Sequence, residues 1–155
     1  MKLTFRKAVF KDVQLYFNWA NDKLVRENSF NKNEITLEQH INWFNYKLNS
    51  PDCFFYLFLN EQQTAVGQVR IDNVNYECII GISIDENFRG KGLGTEMLNQ
   101  ACNAYFEQAP NGEIIAYVKE ENTASLKLFT SAGFIKIESV MVGTDKSYKF
   151  KKQNK

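Results

Sequence analysis

A glycine-spaced segment, residues 79–98, constrains the fold of this chain more than any other stretch. It begins with an apolar run, passes through an acidic turn, and places Gly90, Gly92 and Gly94 directly ahead of an amphipathic run. This pattern predicts a buried strand, a loop and the first turns of a helix. Glycine lets the backbone approach a ligand closely, and a helix start leaves amide N–H groups without partners. The segment is therefore suited to bind a phosphate group.

Two well-known glycine-rich phosphate loops do not fit this segment. A P-loop requires Ser or Thr after Gly-Lys, whereas Gly92 follows Lys91. The dinucleotide loop requires Gly-x-Gly-x-x-Gly, and counting from Gly90 places Thr95 where the last glycine belongs. The segment instead fits Arg/Gln-x-x-Gly-x-Gly/Ala, and it resembles the acetyl-CoA pyrophosphate loop of the GCN5-related N-acetyltransferases, the GNAT family. A simple helix-capping turn is the alternative interpretation.

A second segment further along the chain resembles another motif of the same family. Residues 122–134 read Asn-Thr-Ala-Ser-Leu-Lys-Leu-Phe-Thr-Ser-Ala-Gly-Phe, which is similar to Asn-x-x-Ala/Ser-x-x-Leu-Tyr-x-x-x-Gly-Phe. Alone, the segment indicates only a helix that Asn122 caps and Gly133 ends. Together, the two motifs identify the chain as a member of the GNAT family over residues 53–135, and more loosely over the N-terminal third.

The order of predicted elements agrees with that resemblance. The length of 155 residues suits one domain, residues 1–155. Periodicity predicts a first strand near Leu3, helices over 11–20 and 36–48 around a loop at 21–34, a meander of strands over 53–59, 64–72 and 76–84, a helix over 93–106, a strand over 113–118, a helix after Asn122, and a hairpin of 134–142 with 147–150. This order predicts an α/β (α+β) fold with a mixed sheet, mostly antiparallel with one splayed parallel strand pair, flanked by helices. It is the order of the GNAT fold.

Composition excludes several other classes of protein. The formal net charge is +1, which gives no electrostatic reason to expect nucleic acid or an anionic membrane as a partner. One histidine and three widely spaced cysteines argue against a metal site and favour free thiols in a reducing compartment. No apolar run has the length of a signal peptide or membrane span. We therefore expect a cytoplasmic protein, with its lysine-rich end, Lys149, Lys151, Lys152 and Lys155, in solvent.

The family resemblance implies how acetyl-CoA is bound. The strand around Ile82 and Ile84 is expected to splay from the strand around Ala116, and the pantetheine arm is expected to lie in the gap. The pyrophosphate would meet the backbone N–H groups of Arg89, Gly90, Lys91, Gly92, Leu93, Gly94 and Thr95. Asn122 and Ser125 would face the pantetheine arm, although a helix cap and a solvent-facing residue are the alternatives for them. The side chains of Arg89 and Lys91 are further candidates for phosphate contacts.

One position departs from the family pattern. The tyrosine that usually protonates the leaving CoA thiolate aligns with Phe129, which has no proton to donate. Tyr117 and Tyr148 are the candidate substitutes, with packing as the alternative role for each. A thiol has a pKa near 8.5, so the thiolate is a tolerable leaving group that water could protonate.

Three residues are candidates for the general base. His40 is the only histidine, and its usual pKa suits proton transfer near neutrality. It lies on the predicted helix 36–48, which in this family borders the acceptor site. Glu77 and Asp85, on or just after the central strand, are the alternatives.

The N-terminal third has a resemblance of its own. Residues 18–26 and the neighbourhood of His40 and Trp43 look like acetyltransferases that act on nucleotide-linked amino sugars in pseudaminic acid synthesis. The resemblance implies that Trp19, Arg26, His40 and Trp43 shape the acceptor pocket, with Arg26 against a nucleotide phosphate. Core packing is the alternative for both tryptophans. The amine of a 4-amino sugar is less basic than lysine, so a weak base or water would suffice.

Three functions follow from these patterns. The first is an acetyl-CoA-dependent N-acetyltransferase acting on a small amine, such as a nucleotide-linked amino sugar. The second acetylates a protein N-terminus, as the ribosomal-protein branch of the family does. The third is an acyl-CoA-binding module without turnover, for which Phe129 is the support. The resemblance admits a homodimer.

Overall fold

The computed structural model describes residues 1–154, and within them seven strands form one sheet with helices on both faces. The elements in chain order are β1 (Thr4–Lys7), α1 (Val13–Ala20), α2 (Lys23–Asn28), α3 (Leu37–Leu48), β2 (Cys53–Leu59), β3 (Ala65–Val74), β4 (Glu77–Ile84), α4 (Leu93–Gln108), β5 (Glu113–Lys119), α5 (Thr123–Ser131), β6 (Ile135–Val142) and β7 (Asp145–Gln153). Short 3₁₀ turns, Phe10–Asp12 and Glu86–Phe88, precede α1 and the glycine loop.

The strands lie in the order β1-β2-β3-β4-β5-β7-β6. β4 and β5 are parallel, and the other neighbours that the structure describes are antiparallel. The prediction of a mixed sheet with one parallel pair is therefore confirmed. The pair has a physical origin, because β4 and β5 are joined through α4 and a strand–helix–strand crossover returns the chain in the same direction.

The sheet separates two hydrophobic cores. On β2, Phe55 and Leu57 pack on the side of α1 and α3, whereas Tyr56 and Phe58 pack on the side of α4 and α5. Successive side chains of a strand point to opposite faces, so a strand covered on both sides must be apolar throughout. The almost wholly apolar run of residues 53–59 is thereby explained, and its prediction as a strand buried on both faces is confirmed.

The predicted loop at 21–34 contains a helix that periodicity did not reveal. α2 is capped by Asp22, whose side chain accepts a hydrogen bond from the Val25 amide at 3.2 Å. The following loop is held by Arg26, which donates to the carbonyl oxygens of Ala20, Asn31 and Asn33. These local bonds stabilise a polar segment that lacks an apolar stripe.

The expectation of a solvated lysine-rich end is wrong for the described residues. Lys149 and Lys151 lie in β7, where they pair with Glu77 at 2.7 Å and Glu113 at 3.3 Å. Lys152 donates to the carbonyl oxygen of Ala132. The segment is part of the sheet rather than a free end, because β7 lies between β5 and β6. Lys155 lies outside the described residues.

The three cysteines are free thiols, as expected. Cys102 is buried, and burial raises its pKa to about 12. Cys53 and Cys78 are half-buried. Among the helices of residues 1–154, none combines the length and the apolar character that crossing a bilayer requires.

Two strand glycines provide a matched test of the packing between β3, β4 and α4. A Cβ at Gly67 would overlap the Ser83 carbonyl oxygen and lie 2.8 Å from Met97 Cε, whereas a Cβ at Gly81 would meet nothing within 4 Å. We expect Gly67→Ala to lower the free energy of unfolding by about 1–3 kcal/mol, since overpacking forces the backbone to shift. Gly81→Ala should change it by less than about 0.5 kcal/mol. Urea unfolding of both variants checks this, and equal losses would contradict it.

Candidate active site

The central feature of the site is the gap between β4 and β5. Within the described residues, the two strands pair at a single position, Ile79 with Ile115, and then part. A cavity of about 610 Å³ opens there, lined by residues 80–84 of β4 and 117–119 of β5. It continues to α1, α2 and α3 at one end and to the start of α5 at the other. This volume is in the range of small-molecule sites.

The glycine loop meets this cavity at Arg89 and Gly90, which line it, whereas residues 91–95 are not among its lining residues. Gly90 and Gly92 both have φ of +75°, a backbone conformation that favours glycine, and α4 begins at Leu93 as predicted. The first amides of a helix have no partner within it, so those of Leu93, Gly94 and Thr95 are available to a ligand. A Cβ at Gly94 would lie 2.8 Å from Leu128 Cδ1. Gly94 thus lets the start of α4 pack closely against α5.

The two charged side chains of the loop differ in their surroundings. Arg89 Nε donates to the carbonyl oxygen of Ile84 at 3.0 Å, and its Nη2 donates to Asp22 Oδ1 at 2.7 Å. Burial raises the pKa of Asp22, but the hydrogen bonds from Arg89 and Val25 outweigh it, so that the pKa is lowered. Arg89 therefore ties the loop to the cap of α2. Lys91 is exposed, with its Nζ 5.5 Å from the centre of the Phe88 ring.

The backbone of β4 presents donors to the gap. The Asp85 amide donates to the Val66 carbonyl, which directs this amide toward β3. Successive backbone groups of a strand alternate in direction. The amides of Ile82 and Ile84 therefore face away from β3, toward the side where β5 has parted from β4.

The start of α5 closes the other wall of the gap. The Asn122 side chain accepts a hydrogen bond from the Ser125 amide at 3.2 Å, so its role as a helix cap is confirmed. Both residues line the cavity, and so does Phe129. The Phe129 ring is buried, with its centre 5.1 Å from that of Phe134.

The two tyrosines proposed as substitutes for the family tyrosine are engaged elsewhere. The Tyr117 hydroxyl donates to Glu77 Oε1 at 2.5 Å, although the ring lines the cavity. Burial, together with Glu77, raises the pKa of Tyr117. Tyr148 lies under the Lys136 ammonium at 4.3 Å. The structure therefore shows a packing or hydrogen-bonding role for each.

Two of the three candidate bases are not brought into the cavity. Glu77 begins β4, at the end opposite Ile84, and its bonds to Lys149 and Tyr117 lower its pKa. Asp85 accepts from Trp19 Nε1 at 2.9 Å and caps the turn before the glycine loop. Neither lines the cavity. Sequence proximity to the central strand did not reveal these partners, since Lys149 and Trp19 come from distant elements.

His40 does line the cavity. It is only 2% exposed, and its Nε2 lies 3.2 Å from the Val13 carbonyl oxygen. A carbonyl oxygen accepts only, so this contact assigns the proton of the neutral ring to Nε2. Burial lowers the pKa of His40 below its usual value of 6.5, against the opposing effect of this hydrogen bond.

The remaining predicted acceptor residues surround His40 but differ in role. Trp19 is buried, whereas Trp43 is half-buried with its ring 5.9 Å from that of His40. Both tryptophans line the cavity, as does Arg26. Arg26 donates four hydrogen bonds to nearby residues, three to the carbonyls of Ala20, Asn31 and Asn33 and one to Ser29 Oγ. A phosphate contact by Arg26 stays a prediction.

Sequence reasoning missed Arg70. Its guanidinium lies 5.0 Å from the centre of the Trp43 ring and lines the same cavity. The signal was present in β3, where Gln68 and Arg70 interrupt an apolar strand on one face. Two polar residues at alternate positions of a buried strand indicate a polar cavity beneath it.

Comparison with known proteins agrees with this geometry. The model of the Acetyltransferase (GNAT) domain matches residues 2–135. The chain is 25% identical over 132 residues to the acetyltransferase PseH of Campylobacter jejuni, covering 84% of this chain and 81% of PseH. It is 28% identical over 138 residues to an uncharacterized protein of Methanocaldococcus jannaschii, covering 87% of this chain but only 28% of that protein's length.

A solved structure shows the same fold. The spermidine N-acetyltransferase of Vibrio cholerae, crystallised with CoA and spermine, superimposes with a TM-score of 0.85 at 18% identity, covering 96% of this chain and 94% of that one. With the family model matching most of the chain, we conclude that this protein belongs to the GNAT family of acetyl-CoA-dependent N-acetyltransferases.

Proposed function

We propose that this protein moves the acetyl group of acetyl-CoA to the primary amine of a small molecule, the 4-amino group of a nucleotide-linked amino sugar, by direct attack. The observation that carries the proposal is the single pairing of β4 with β5, which leaves an open cavity between the glycine loop and His40. We place this reaction in the cytoplasm, following the expectation from sequence.

Each part of acetyl-CoA has a complementary group in the gap. The amides at the start of α4 and in the glycine loop offer donors to the pyrophosphate, favoured by the helix dipole. The amides of Ile82 and Ile84 offer donors to the pantetheine arm and the thioester oxygen. Asn122, Ser125 and Phe129 form the opposite wall. Holding both reactants in one cavity supplies much of the acceleration.

The chemistry then requires one bond to form and one to break. The neutral amine attacks the thioester carbon, and the amide on the β4 side stabilises the resulting oxyanion. The C–S bond breaks, and CoA leaves as a thiolate. Because Phe129 has no proton to donate, water protonates this thiolate. The proton lost by the amine goes to His40, whose Nδ1 is free to accept it when Nε2 carries the hydrogen.

The choice of acceptor rests on similarity and on charge. PseH of Campylobacter jejuni, a relative along most of the chain, supports an amino-sugar acceptor. The Vibrio cholerae neighbour was crystallised with spermine, a polycation. Among the described residues, no Asp or Glu lines the cavity of the present protein. A polyamine would find no carboxylate there to neutralise it.

The proposal is tested by thiol release from acetyl-CoA with three amines: a UDP-linked 4-amino sugar, a peptide with a free N-terminus, and spermidine. We expect turnover with the amino sugar and little with the other two. Preference for the peptide would support a protein N-terminal acetyltransferase. Binding of CoA without thiol release from any amine would indicate a non-catalytic module.

The glycine loop is tested by two alanine variants at glycines that both have positive φ, one in the loop and one outside it. Gly92 and Gly143 both have positive φ, and neither would place a Cβ within 4 Å of another group. We expect Gly92→Ala and Gly143→Ala to lose similar stability, about 1–2 kcal/mol, because alanine is strained in this region. Calorimetry should show that the CoA dissociation constant rises roughly ten-fold in Gly92→Ala, about 1.4 kcal/mol, and stays unchanged in Gly143→Ala. Equal affinities in both variants would remove the loop from the CoA site.

The role of His40 is tested by kcat as a function of pH. The folded pKa lies below 6.5, so the imidazole is neutral and able to accept a proton at pH 7.5. The wild-type kcat should fall toward acid pH with a midpoint below pH 6.5. We expect His40→Gln to lower the kcat at pH 7.5 by about 10²-fold and to remove the acid limb. An unchanged kcat in a folded, CoA-binding His40→Gln protein would show that water is the base.

A further inference from the structure

Arg70 is a cation without a counter-ion at the acceptor end of the cavity. Its neighbour Asp72, two residues along β3, is paired instead with Lys47 Nζ at 2.5 Å. The guanidinium rests on the Trp43 ring, and its Nε is buried without a hydrogen-bond partner among the described residues. Burial lowers the pKa of Arg70, but an arginine remains charged at neutral pH. Arg70 is half-buried, and a partly buried charge that has no counter-ion within hydrogen-bonding distance calls for a functional explanation.

Two further residues that line the same cavity, Tyr16 and Gln68, each carry an unpaired polar atom. Tyr16 Oη and Gln68 Oε1 are both buried and have no partner within residues 1–154. The amide nitrogen of Gln68 donates to Ser83 Oγ at 3.2 Å, which orients its oxygen as a free acceptor. Buried polar atoms are almost always hydrogen-bonded, so three unpaired atoms around one cavity indicate a ligand or water. Two of them, on Arg70 and Tyr16, are able to donate, and one accepts.

The charges around the cavity point to the sign of that ligand. Its cationic lining residues are Arg26, Arg70, Arg89 and Lys119. Three of them bind groups of the protein itself: Arg26 its loop carbonyls, Arg89 the Asp22 carboxylate, and Lys119 the Glu27 carbonyl at 3.4 Å. Arg70 differs from these three, since no hydrogen bond from its guanidinium is found in the described part of the chain. No Asp or Glu is among the described residues that line the cavity.

We infer that the amine acceptor carries an oxyanion, a phosphate or a carboxylate, which Arg70 binds together with the Tyr16 hydroxyl. Gln68 Oε1 accepts a hydrogen bond from a hydroxyl or amino group of the same molecule. This inference rests on the proposed function, because it assigns the end of the cavity that α1, α3 and β3 form to the acceptor.

The position of Arg70 makes it suitable for this role. The cation–π contact with Trp43 helps to hold the guanidinium in place, and its N–H groups have no partner in the described residues and could bind an oxyanion. Gln68 and Arg70 are two residues apart on one strand, so their side chains emerge on the same face of the sheet. Arg70 is thus a specificity residue, since it acts on a part of the acceptor away from the reacting amine.

The test compares anionic acceptors with neutral compounds that carry the same amine. The phosphate pair is a UDP-linked 4-amino sugar and the methyl glycoside of that amino sugar. The carboxylate pair is methionine and methioninamide. For each compound, kcat/KM is measured by thiol release from acetyl-CoA, and binding to the CoA-saturated protein is measured by calorimetry. The variants are Arg70→Gln, Arg70→Lys and Arg6→Gln.

Arg6→Gln is the matched control for lost charge. It removes one arginine outside the cavity, where Arg6 pairs with Asp12 at 2.8 Å. Circular dichroism and the CoA dissociation constant show whether each variant is folded. Should Arg70→Gln fail to fold, Arg70→Lys still tests the inference, since it keeps the charge and removes the paired donors of the guanidinium.

We expect the wild type to prefer one anionic compound over its neutral partner by roughly 30-fold in kcat/KM and in affinity, as a charge-assisted hydrogen bond provides. Arg70→Gln should reduce that preference to below about three-fold, because kcat/KM and affinity fall for the anionic compound alone. The preference of Arg70→Lys should lie between those of the wild type and Arg70→Gln. Arg6→Gln should show the same preference as the wild type. The pair that shows the preference tells phosphate from carboxylate.

Three results would overturn the inference. The first is a wild type without anion preference in either pair, and the second is a preference that survives in Arg70→Gln. The third is a kcat/KM that falls equally for the anionic and the neutral compound in Arg70→Gln, which would indicate that Arg70 has a purely structural role. In each case, turnover of the UDP-linked amino sugar by the wild type leaves the proposed function standing. Absence of CoA binding and of thiol release from the wild type would instead reject the proposed function.

Discussion

The site depends on the point at which β4 and β5 stop pairing. Beyond the pairing of Ile79 with Ile115, β4 continues along β3 to Ile84, while β5 follows β7 to Lys119. Each strand thus has a complete antiparallel ladder on its outer side, which satisfies half of its backbone groups. The backbone N–H and C=O groups on the inner side of each strand face the gap. Because unpaired backbone groups in a protein interior are costly, this opening is suited to a ligand that supplies amide partners of its own.

The glycine loop and the gap form one unit because α4 packs very closely on its neighbours. Gly94 brings the first turn of α4 against Leu128 of α5, and Gly67 brings β3 under Met97. A side chain at either position would move the helix start away from the strand ends. Arg89 adds a second constraint, since it joins the carbonyl end of β4 to the cap of α2. Close packing at the small residues therefore holds the start of α4 next to the end of the loop where Arg89 and Gly90 line the cavity.

Within the described chain, the end of the cavity that α1, α3 and β3 form is lined by aromatic rings and by Arg70. His40, Trp43 and Phe55 lie in one aromatic cluster, and Arg70 covers the ring of Trp43. Burial keeps His40 neutral, whereas Arg70 retains its charge in the same surroundings because its intrinsic pKa is far higher. One wall thus combines a neutral imidazole with a permanent cation. This combination suits an acceptor whose amine is to lose a proton while another part of the molecule carries negative charge.

The sequence by itself determined the order of elements, the buried strand 53–59, the glycine loop at the start of α4 and the capped helix after Asn122. These features are local, because periodicity, turn residues and caps act over a few positions. Only the tertiary structure decided which side chains meet. It paired Glu77 with Lys149 and Asp85 with Trp19, placed His40 against Val13, and brought Arg70 beside Trp43. The physical reason is that sheet order and helix packing join residues far apart in the chain. A local pattern can mark a residue such as Arg70 as unusual, but it does not identify the partner that the fold brings to it.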